Sequence, residues 1–166
     1  MKDLTVMYDF GSVSESFLLD FIKKYGLNLP KKYMELIQKH NGVQFIENCF
    51  NYIDSEGGTG ESSIGFCAYG DETGADDIYK FQDHDGLGYE NVIVFGLNGS
   101  GDYISFDYRQ NPETDNPPVV IMYHDQFVKD ENGNSKMLVV KVADNFDDFL
   151  NLLHEWCLEF NLEGYC

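Results

Sequence analysis

The spacing of apolar residues changes twice along the chain, and these changes most constrain its fold. Between residues 12 and 42, apolar residues recur at three- and four-residue intervals, the spacing of one helix face. Between residues 43 and 142 they form short runs rich in Val, Ile, Phe and Tyr, bounded by Gly, Asn or Asp, which is typical of strands. Helical spacing returns after residue 143. This order predicts an α+β fold with a mainly antiparallel sheet.

The two N-terminal helices carry start and stop signals. Ser12 and Glu15 have the spacing of a capping box and predict the start of the first helix, which Gly26 ends. Pro30 predicts the start of the second helix, because its missing N–H has no helical partner there, and residues 41–42 (Asn-Gly) end it. The apolar stripe of the first helix consists of Phe17, Leu18, Phe21, Ile22 and Tyr25.

The middle of the chain predicts about six strands. They are Val43–Ile53, Ser62–Tyr69, Val92–Leu97, Tyr103–Tyr108, Val119–Tyr123 and Met137–Val142. Residues 132–133 (Asn-Gly) predict a hairpin turn, and residues 97–102 predict a second hairpin connection. A short helix is expected over residues 76–81. The 166 residues show no linker and no repeat, so a single domain over residues 1–166 is expected, with two N-terminal helices and one C-terminal helix packed on the sheet.

The last helix has a clear cap and a broad apolar face. Asp144 or Asn145 is the expected N-cap. Asp147 and Asp148 in the first turn interact favourably with the positive end of the helix dipole. The predicted apolar face consists of Phe146, Phe149, Leu150, Leu153, Trp156, Cys157 and Phe160.

The cysteines and the N-terminus favour a cytoplasmic protein. None of the four cysteines forms a C-x-x-C pair, and Cys49, Cys67 and Cys157 lie in apolar stretches, which indicates core positions. The first residues lack the apolar region of a signal peptide, and no run of about 18 apolar residues predicts a membrane span.

The charge of the chain is strongly negative and unevenly distributed. The formal net charge is −18; residues 1–42 carry +1 and residues 43–166 carry −19. Direct nucleic-acid binding is disfavoured, because it depends on Lys and Arg that neutralise phosphates. Between Asp71 and Glu90, seven acidic residues accompany a single Lys80.

This acidic stretch has three interpretations. It is a solvated loop that aids solubility, a docking surface for a basic partner protein, or a metal site. Residues 83–86 (Asp-His-Asp-Gly) resemble the start of a calcium loop but lack the EF-hand spacing. The candidate partner-binding residues are Asp71, Glu72, Asp76, Asp77, Asp83 and Asp85.

Sequence motifs for catalysis are lacking. The four histidines are scattered without a zinc-binding spacing, and the chain contains no G-x-S-x-G, P-loop or ordered G-x-G-x-x-G. We therefore expect no catalytic residue, no bound metal and no cofactor.

Several local patterns occur in the order found in one protein family. Leu29-Pro30-x-x-Tyr33 is followed by residues 41–42 (Asn-Gly), and Gly101-Asp102 lies between two predicted strands. The stretch 119–125 (VVIMYHD) precedes 142–150 (VADNFDDFL), which contains Phe146. In this order, from about residue 12 to 155, the patterns resemble the SUKH superfamily. Two positions depart from the family pattern: Val43 replaces a second glycine, and Ile37 replaces an aromatic residue.

The resemblance implies a non-enzymatic binding domain. Bacterial members of the superfamily are largely immunity proteins that neutralise a toxin, often a nuclease, whereas fungal members suggest an intracellular scaffold or regulatory module. An acidic immunity protein suits a basic toxin domain, because nuclease surfaces attract phosphate. The alternatives are the scaffold role and, as a third class, an acidic hydrolase or metal-dependent enzyme. The motif residues themselves have structural explanations: Pro30 starts a helix, Gly42 and Gly101 permit turns, and Asp102 bonds backbone N–H groups.

Overall fold

Strands and helices alternate irregularly in the computed structural model, which describes residues 2–156. In chain order they are β1 (Val6–Tyr8), α1 (Glu15–Tyr25), α2 (Lys31–Lys39), β2 (Gln44–Phe45), β3 (Cys49–Ile53), β4 (Thr59–Ser63), β5 (Gly65–Phe66), α3 (His84–Leu87), β6 (Val92–Leu97), β7 (Tyr103–Asp107), β8 (Val119–Lys129), β9 (Ser135–Ala143) and α4 (Phe146–Leu152). Two 3₁₀ helices, Asp71–Asp76 and Ile78–Phe81, lie between β5 and α3. No helix in this part of the chain is long and apolar enough to cross a membrane.

The strands form three antiparallel sheets. The largest has the order β5-β6-β7-β8-β9, and the pairs β1-β2 and β3-β4 form two small sheets. The predicted α+β class and antiparallel pairing are confirmed, with nine strands in the described chain. The stretches predicted as single strands, 43–53 and 62–69, are each divided in two, and β1 was not predicted. The hairpin turn at residues 132–133 is confirmed, since Gly133 donates to the Asp130 carbonyl oxygen at 3.0 Å.

Helix α1 begins two residues after the predicted start. Its N-cap is Ser14, whose hydroxyl accepts a hydrogen bond from the Ser16 N–H at 3.4 Å, so the capping box of Ser12 and Glu15 is wrong. The reason is tertiary: the Val13 N–H donates to the carbonyl oxygen of Gln38 at 3.0 Å. The chain before Ser14 is thereby held against the end of α2 and does not enter the helix.

The motif residues around α2 attach this helix to the chain at residues 68–69. The side chain of Asn41 accepts a hydrogen bond from the Tyr69 N–H and donates one to the Tyr69 carbonyl oxygen, both at 2.8 Å. The hydroxyl groups of Tyr33 and Tyr69 are 3.1 Å apart in the core. Leu29 and Pro30 are buried. Pro30 is the N-cap of α2, so the helix begins at Lys31, one residue after the predicted start.

The five-stranded sheet buries both of its faces. One face packs on α1, α2 and α4, where the ring of Tyr33 makes edge contacts with Phe95, Phe106 and Phe146 at centroid distances of 5.1–5.7 Å. The other face forms a separate cluster, whose members are Leu87, Val92, Val94, Val120, Met122 and Met137. Burial on both sides explains why β6 and β8 contain continuous apolar runs.

Helix α4 is shorter than its apolar pattern predicts. Asn145 is its N-cap, as expected, and accepts a hydrogen bond from the Asp148 N–H at 2.8 Å. The helix ends at Leu152 because His154 pairs with Cys49 in an antiparallel bridge, which requires extended backbone. Trp156, expected on the apolar face, is 55 % exposed, and the predicted core residues Cys157 and Phe160 lie outside the described residues. Cys49 and Cys67 are buried, as predicted.

Substitution Gly42→Ala is expected to lower the free energy of unfolding by about 3 kcal/mol, the sum of a left-handed backbone penalty and overpacking. Gly42 has φ +61°, and an added Cβ would lie 2.7 Å from Cβ of Ala68 and 2.9 Å from Cδ2 of Phe10. Urea unfolding measures the loss. The matched control is Gly57→Ala, at φ +83° with no atom within 4 Å of an added Cβ, which should lose only about 1–2 kcal/mol. Equal losses would show that the contact at Ala68 does not matter.

Candidate protein-interaction surface

Residues 71–90, here called the acidic segment, are anchored in the apolar clusters on both faces of the five-stranded sheet. Its buried anchors are Ile78, which belongs to the cluster between the sheet and the helices, and Leu87, which belongs to the cluster on the opposite face of the sheet. The backbone is tied to residue 68 from both sides of Asp77: the Ala68 N–H donates to the Asp76 carbonyl oxygen, and the Ile78 N–H donates to the Ala68 carbonyl oxygen, each at 2.8 Å. The segment is therefore a fixed part of the fold.

Gln82 adds a polar anchor inside the segment. Its side chain is buried and accepts a hydrogen bond from the Val94 N–H at 3.1 Å. The same amide donates to the carbonyl oxygens of Val94 and Ile78 at 2.7 and 3.0 Å. The amide thus uses its oxygen and its nitrogen in hydrogen bonds. They pair both backbone groups of Val94 in β6, next to the register shift between Val94 and Gly96.

The six predicted partner-binding residues divide into two groups. Asp77 and Asp83 cap local helices, since their carboxylates accept hydrogen bonds from the N–H groups of Tyr79 and Gly86 at 3.1 and 3.2 Å. The other four are exposed, and none of them forms an ion pair within residues 2–156. These four are Asp71, Glu72, Asp76 and Asp85.

The one lysine of the segment does not neutralise these carboxylates. The Lys80 ammonium donates to the carbonyl oxygen of Gly74 at 2.7 Å, a bond to backbone. The acidic segment therefore presents its charge to solvent with no cationic side chain of the described chain paired to it.

The exposed carboxylates surround the segment and do not share one cavity. Asp71 and Glu72 line a groove of about 480 Å³ together with Phe17. Asp76 lines a second hollow. Asp85 lines a third hollow, of about 590 Å³. The sequence pattern located these residues in the chain but did not indicate that they point in several directions.

Phe17 is an exposed residue of this candidate surface that the sequence pattern did not indicate. It was expected in the apolar stripe of α1, yet its side chain is 45 % exposed beside the acidic groove. The side of α1 that faces the core is narrower than the predicted stripe, so Phe17 lies at its edge. This side consists of Leu18, Phe21, Ile22 and Tyr25. Aromatic residues are enriched in protein interfaces.

A second polar cluster lies where the β6–β7 turn meets β8. Asp102 is buried, and one of its carboxylate oxygens accepts hydrogen bonds from the His124 N–H at 3.0 Å and from His124 Nδ1 at 2.7 Å. Its other oxygen accepts from Asn98 at 2.9 Å. Gly101, at φ +91°, permits the tight turn that positions Asp102. The expectation that Asp102 bonds backbone N–H groups is confirmed.

A β-bulge brings His124 to Asp102. Between the pairs Tyr123↔Leu138 and Phe127↔Met137, β8 advances four residues while β9 advances one. The extra residues, 124–126, leave the ladder and redirect the His124 ring toward the β6–β7 turn. The hydroxyl groups of Tyr52 and Tyr123 are hydrogen-bonded beside this bulge.

The hydrogen bonds of this cluster shift two pKa values. Burial disfavours the charged form of Asp102, but the bonds from Asn98 and His124 outweigh it and lower the pKa of Asp102. The bond to Asp102 raises the pKa of His124 above its ordinary value. The pair is therefore a carboxylate with a protonated imidazole over a wider pH range than isolated side chains would give.

The same cluster is the only group of three potential metal ligands within residues 2–156. Ligand atoms of Asp102, His124 and Asp125 lie within 4.8 Å of one another, a proximity that the sequence interpretation did not predict. Both oxygens of Asp102 accept hydrogen bonds, and the bond to Nδ1 holds the His124 ring in place.

Substitution Leu87→Ala should lower the free energy of unfolding by about 2–4 kcal/mol, because it opens a cavity under the acidic segment. Amide exchange across residues 71–90 should become faster than in the other half of the sheet. The control is Leu19→Ala on the exposed side of α1, which should change stability by no more than about 0.5 kcal/mol. Unchanged exchange in Leu87→Ala would show that Leu87 does not hold the segment.

The contribution of His124 to stability should be pH-dependent. Because its folded pKa is raised, the contribution is fully present below about pH 6.5 and is lost as the pH rises through the folded pKa. The difference in unfolding free energy between the wild type and His124→Gln should therefore be larger at pH 5.5 than at pH 8.5. In Asp102→Asn, NMR titration should give His124 a lower pKa than in the wild type. A difference that grows with pH would contradict this assignment.

One protein-family model matches most of the chain. The model of the SMI1 / KNR4 family (SUKH-1) matches residues 12–152, which includes α1, the acidic segment and the Asp102–His124 cluster. No curated protein matches the chain, and no solved structure matches it. The match agrees with the motif resemblance that begins at residue 12 and includes Asn41, Gly101 and Phe146. The chain belongs to the SMI1 / KNR4 (SUKH-1) family.

Proposed function

We propose that this protein is a non-enzymatic immunity protein that acts in the cytoplasm by binding a basic toxin domain through the acidic segment. Membership of the family is consistent with an immunity or interaction role. Neutralisation would follow from occupancy: the segment covers the cationic surface that the toxin uses for its substrate. A nuclease is the toxin class that fits best, because its substrate is a polyanion.

The observation that carries this proposal is the fixed position of the uncompensated carboxylates. Leu87 and Gln82 hold the segment on the sheet, while Asp71, Glu72 and Asp76 stay exposed without an ion pair among residues 2–156. A partner therefore meets charges that need little reordering on binding, which lowers the entropic cost of association. The negative charge of the segment as a whole also raises the association rate with an oppositely charged partner.

The groove beside Asp71 and Glu72 supplies an apolar contact within this surface. Phe17 provides an exposed ring at its wall, and interface binding energy concentrates in such aromatic residues when they become buried. Charge would then speed the encounter, while the ring would slow dissociation.

The test is a fourfold charge reversal, Asp71→Lys, Glu72→Lys, Asp76→Lys and Asp85→Lys, which spares the capping residues Asp77 and Asp83. The probe is the toxin domain encoded beside the gene of this chain, co-expressed with each variant in a sensitive host. The wild type should restore growth and the reversed variant should not. With purified proteins at low salt, the association rate should fall at least about tenfold, since steering acts mainly on association.

The matched control reverses four exposed glutamates that also lack ion pairs in the described chain: Glu56, Glu61, Glu113 and Glu131. This variant has the same net charge as the test variant and should retain protection. Equal loss in both variants would mean that net charge matters and the segment does not. A gene without a neighbouring toxin, or a wild type that gives no protection, would favour the scaffold role.

A further inference from the structure

A small hollow opens at the edge of the five-stranded sheet, where the edge strand β5 faces β2. Its volume is about 350 Å³, near the lower end of the range of ligand pockets, which is roughly 300–1,000 Å³. We call it the edge hollow. Most of its lining is apolar or aromatic, with Tyr8, Phe66, Cys67, Phe81 and Leu97. A hollow of this size and lining suits one long side chain of a partner.

Asp76 is the one charged residue among the described residues that line the edge hollow. The Ala68 N–H donates to its carbonyl oxygen at 2.8 Å and fixes its backbone beside the chain that follows β5. Burial raises the pKa of the Cys67 thiol, and the negative charge of Asp76 raises it further, so the carboxylate lies close to this lining residue. It forms no hydrogen bond and no ion pair with residues 2–156.

Gln44 adds a second oxygen acceptor to the edge hollow. Its Nε2 donates to the carbonyl oxygens of Gly42 and Phe66 at 3.3 and 3.5 Å. Its Oε1 lies beside Gly65, where an added Cβ would be 2.9 Å away, and accepts no hydrogen bond from the described chain. The hollow therefore combines apolar walls with two oxygen acceptors, one of them charged, and calls for a cationic donor with several N–H groups.

An arginine side chain matches this combination better than a lysine. The guanidinium is planar, carries a permanent charge and five N–H donors, and stacks on aromatic rings. The Tyr8 ring is 52 % exposed at the edge hollow, and Phe81 is half-buried. A lysine ammonium is more strongly hydrated and loses more on entering an apolar hollow. An uncharged side chain would leave the Asp76 carboxylate desolvated without a partner.

We propose that the edge hollow binds an arginine side chain of the basic partner, with the guanidinium at Asp76 and Gln44 and the aliphatic part against the apolar lining. This inference rests on the proposed function for the identity of the partner and adds the residue type that the partner presents. Binding energy at interfaces concentrates in such buried arginine and aromatic anchors. The edge hollow would therefore act mainly on dissociation, whereas the exposed carboxylates of the acidic segment act on association.

Titration of the isotopically labelled full chain with N-acetyl-arginine amide, followed by NMR, tests the edge hollow without a toxin. Saturable shift changes are expected at the amides of Gly65, Phe66 and Leu97. The uncharged analogue N-acetyl-citrulline amide should not produce them. N-acetyl-lysine amide should bind at least about fivefold more weakly, since it forms fewer hydrogen bonds to the two acceptors.

Substitution Asp76→Asn removes the charge and keeps the size of the side chain. It should weaken binding of the arginine amide at least about fivefold and leave the fold intact, because the carboxylate has no bond to lose within residues 2–156. The matched control is Asp71→Asn, an equal change of charge at an exposed residue outside the edge hollow, which should change the affinity less than about twofold. The inference is overturned by an absence of saturable shifts, by equal binding of the citrulline or lysine analogue, or by unchanged affinity in Asp76→Asn.

A double-mutant cycle with the toxin domain encoded beside the gene identifies the arginine. Asp76→Asn is combined with replacement of each toxin arginine by glutamine, and the dissociation constants are compared. One arginine should couple to Asp76, so that the double variant loses at least about fivefold less affinity than the product of the single losses. A complex in which no arginine couples to Asp76 would contradict the inference.

The two experiments separate this inference from the proposed function. Binding of the arginine amide by a chain that does not neutralise the toxin would support the edge hollow as an arginine site and overturn the immunity role. Neutralisation by a chain that does not bind the arginine amide would leave the immunity role and overturn the arginine site.

Discussion

The side chain of Asn41 connects two distant parts of the chain, and the candidate surface depends on that connection. Its amide pairs with both backbone groups of Tyr69 at the point where the chain leaves the core to form the acidic segment. Gly42 lies against Ala68 in the same region, and the Tyr33 hydroxyl bonds that of Tyr69. The motif that identifies the family thus fixes the start of the segment that carries the exposed charge. Its residues act by position and need no chemistry of their own.

The segment also has a structural task, which explains why it tolerates so many carboxylates. Leu87 packs in one cluster with Val94 and Met122, and the segment thereby covers a face of the sheet that would otherwise be exposed to solvent. Because the anchors are apolar or, at Gln82, fully hydrogen-bonded, the outward positions are free to vary in charge. The buried anchors and the exposed carboxylates are therefore different residues of one segment. The N-terminal side is organised in the opposite way, with lysines around an apolar floor.

Local signals in the sequence predicted local structure well. The turn at residues 132–133, the cap at Asn145 and the strand Val92–Leu97 occur as expected, because each depends on a few adjacent residues. The predictions that were wrong involve distant partners. Ser12 does not cap α1, since Val13 is bound to Gln38, and α4 ends early, since His154 is paired with Cys49. For the candidate site, the sequence located the charge but not the exposed Phe17. Nor did it indicate the bulge that brings His124 to Asp102, because register shifts leave no mark on composition.

That bulge separates two parts of the β8–β9 hairpin. Before it, Ile121 and Met122 lie in the core; after it, Phe127 and Val128 are exposed on a narrow ribbon that ends at residues 132–133. Because the break in register at residues 124–126 separates the pairing of the ribbon from that of the core strands, a change in the ribbon's length need not alter the core pairing. The base of the ribbon stays attached to the domain, since the Tyr89 hydroxyl donates to the Met137 carbonyl oxygen at 2.8 Å and Lys136 lies over the Tyr89 ring. Insertions and sequence drift can therefore accumulate at the exposed tip, residues 131–134, while the body of the domain keeps its shape.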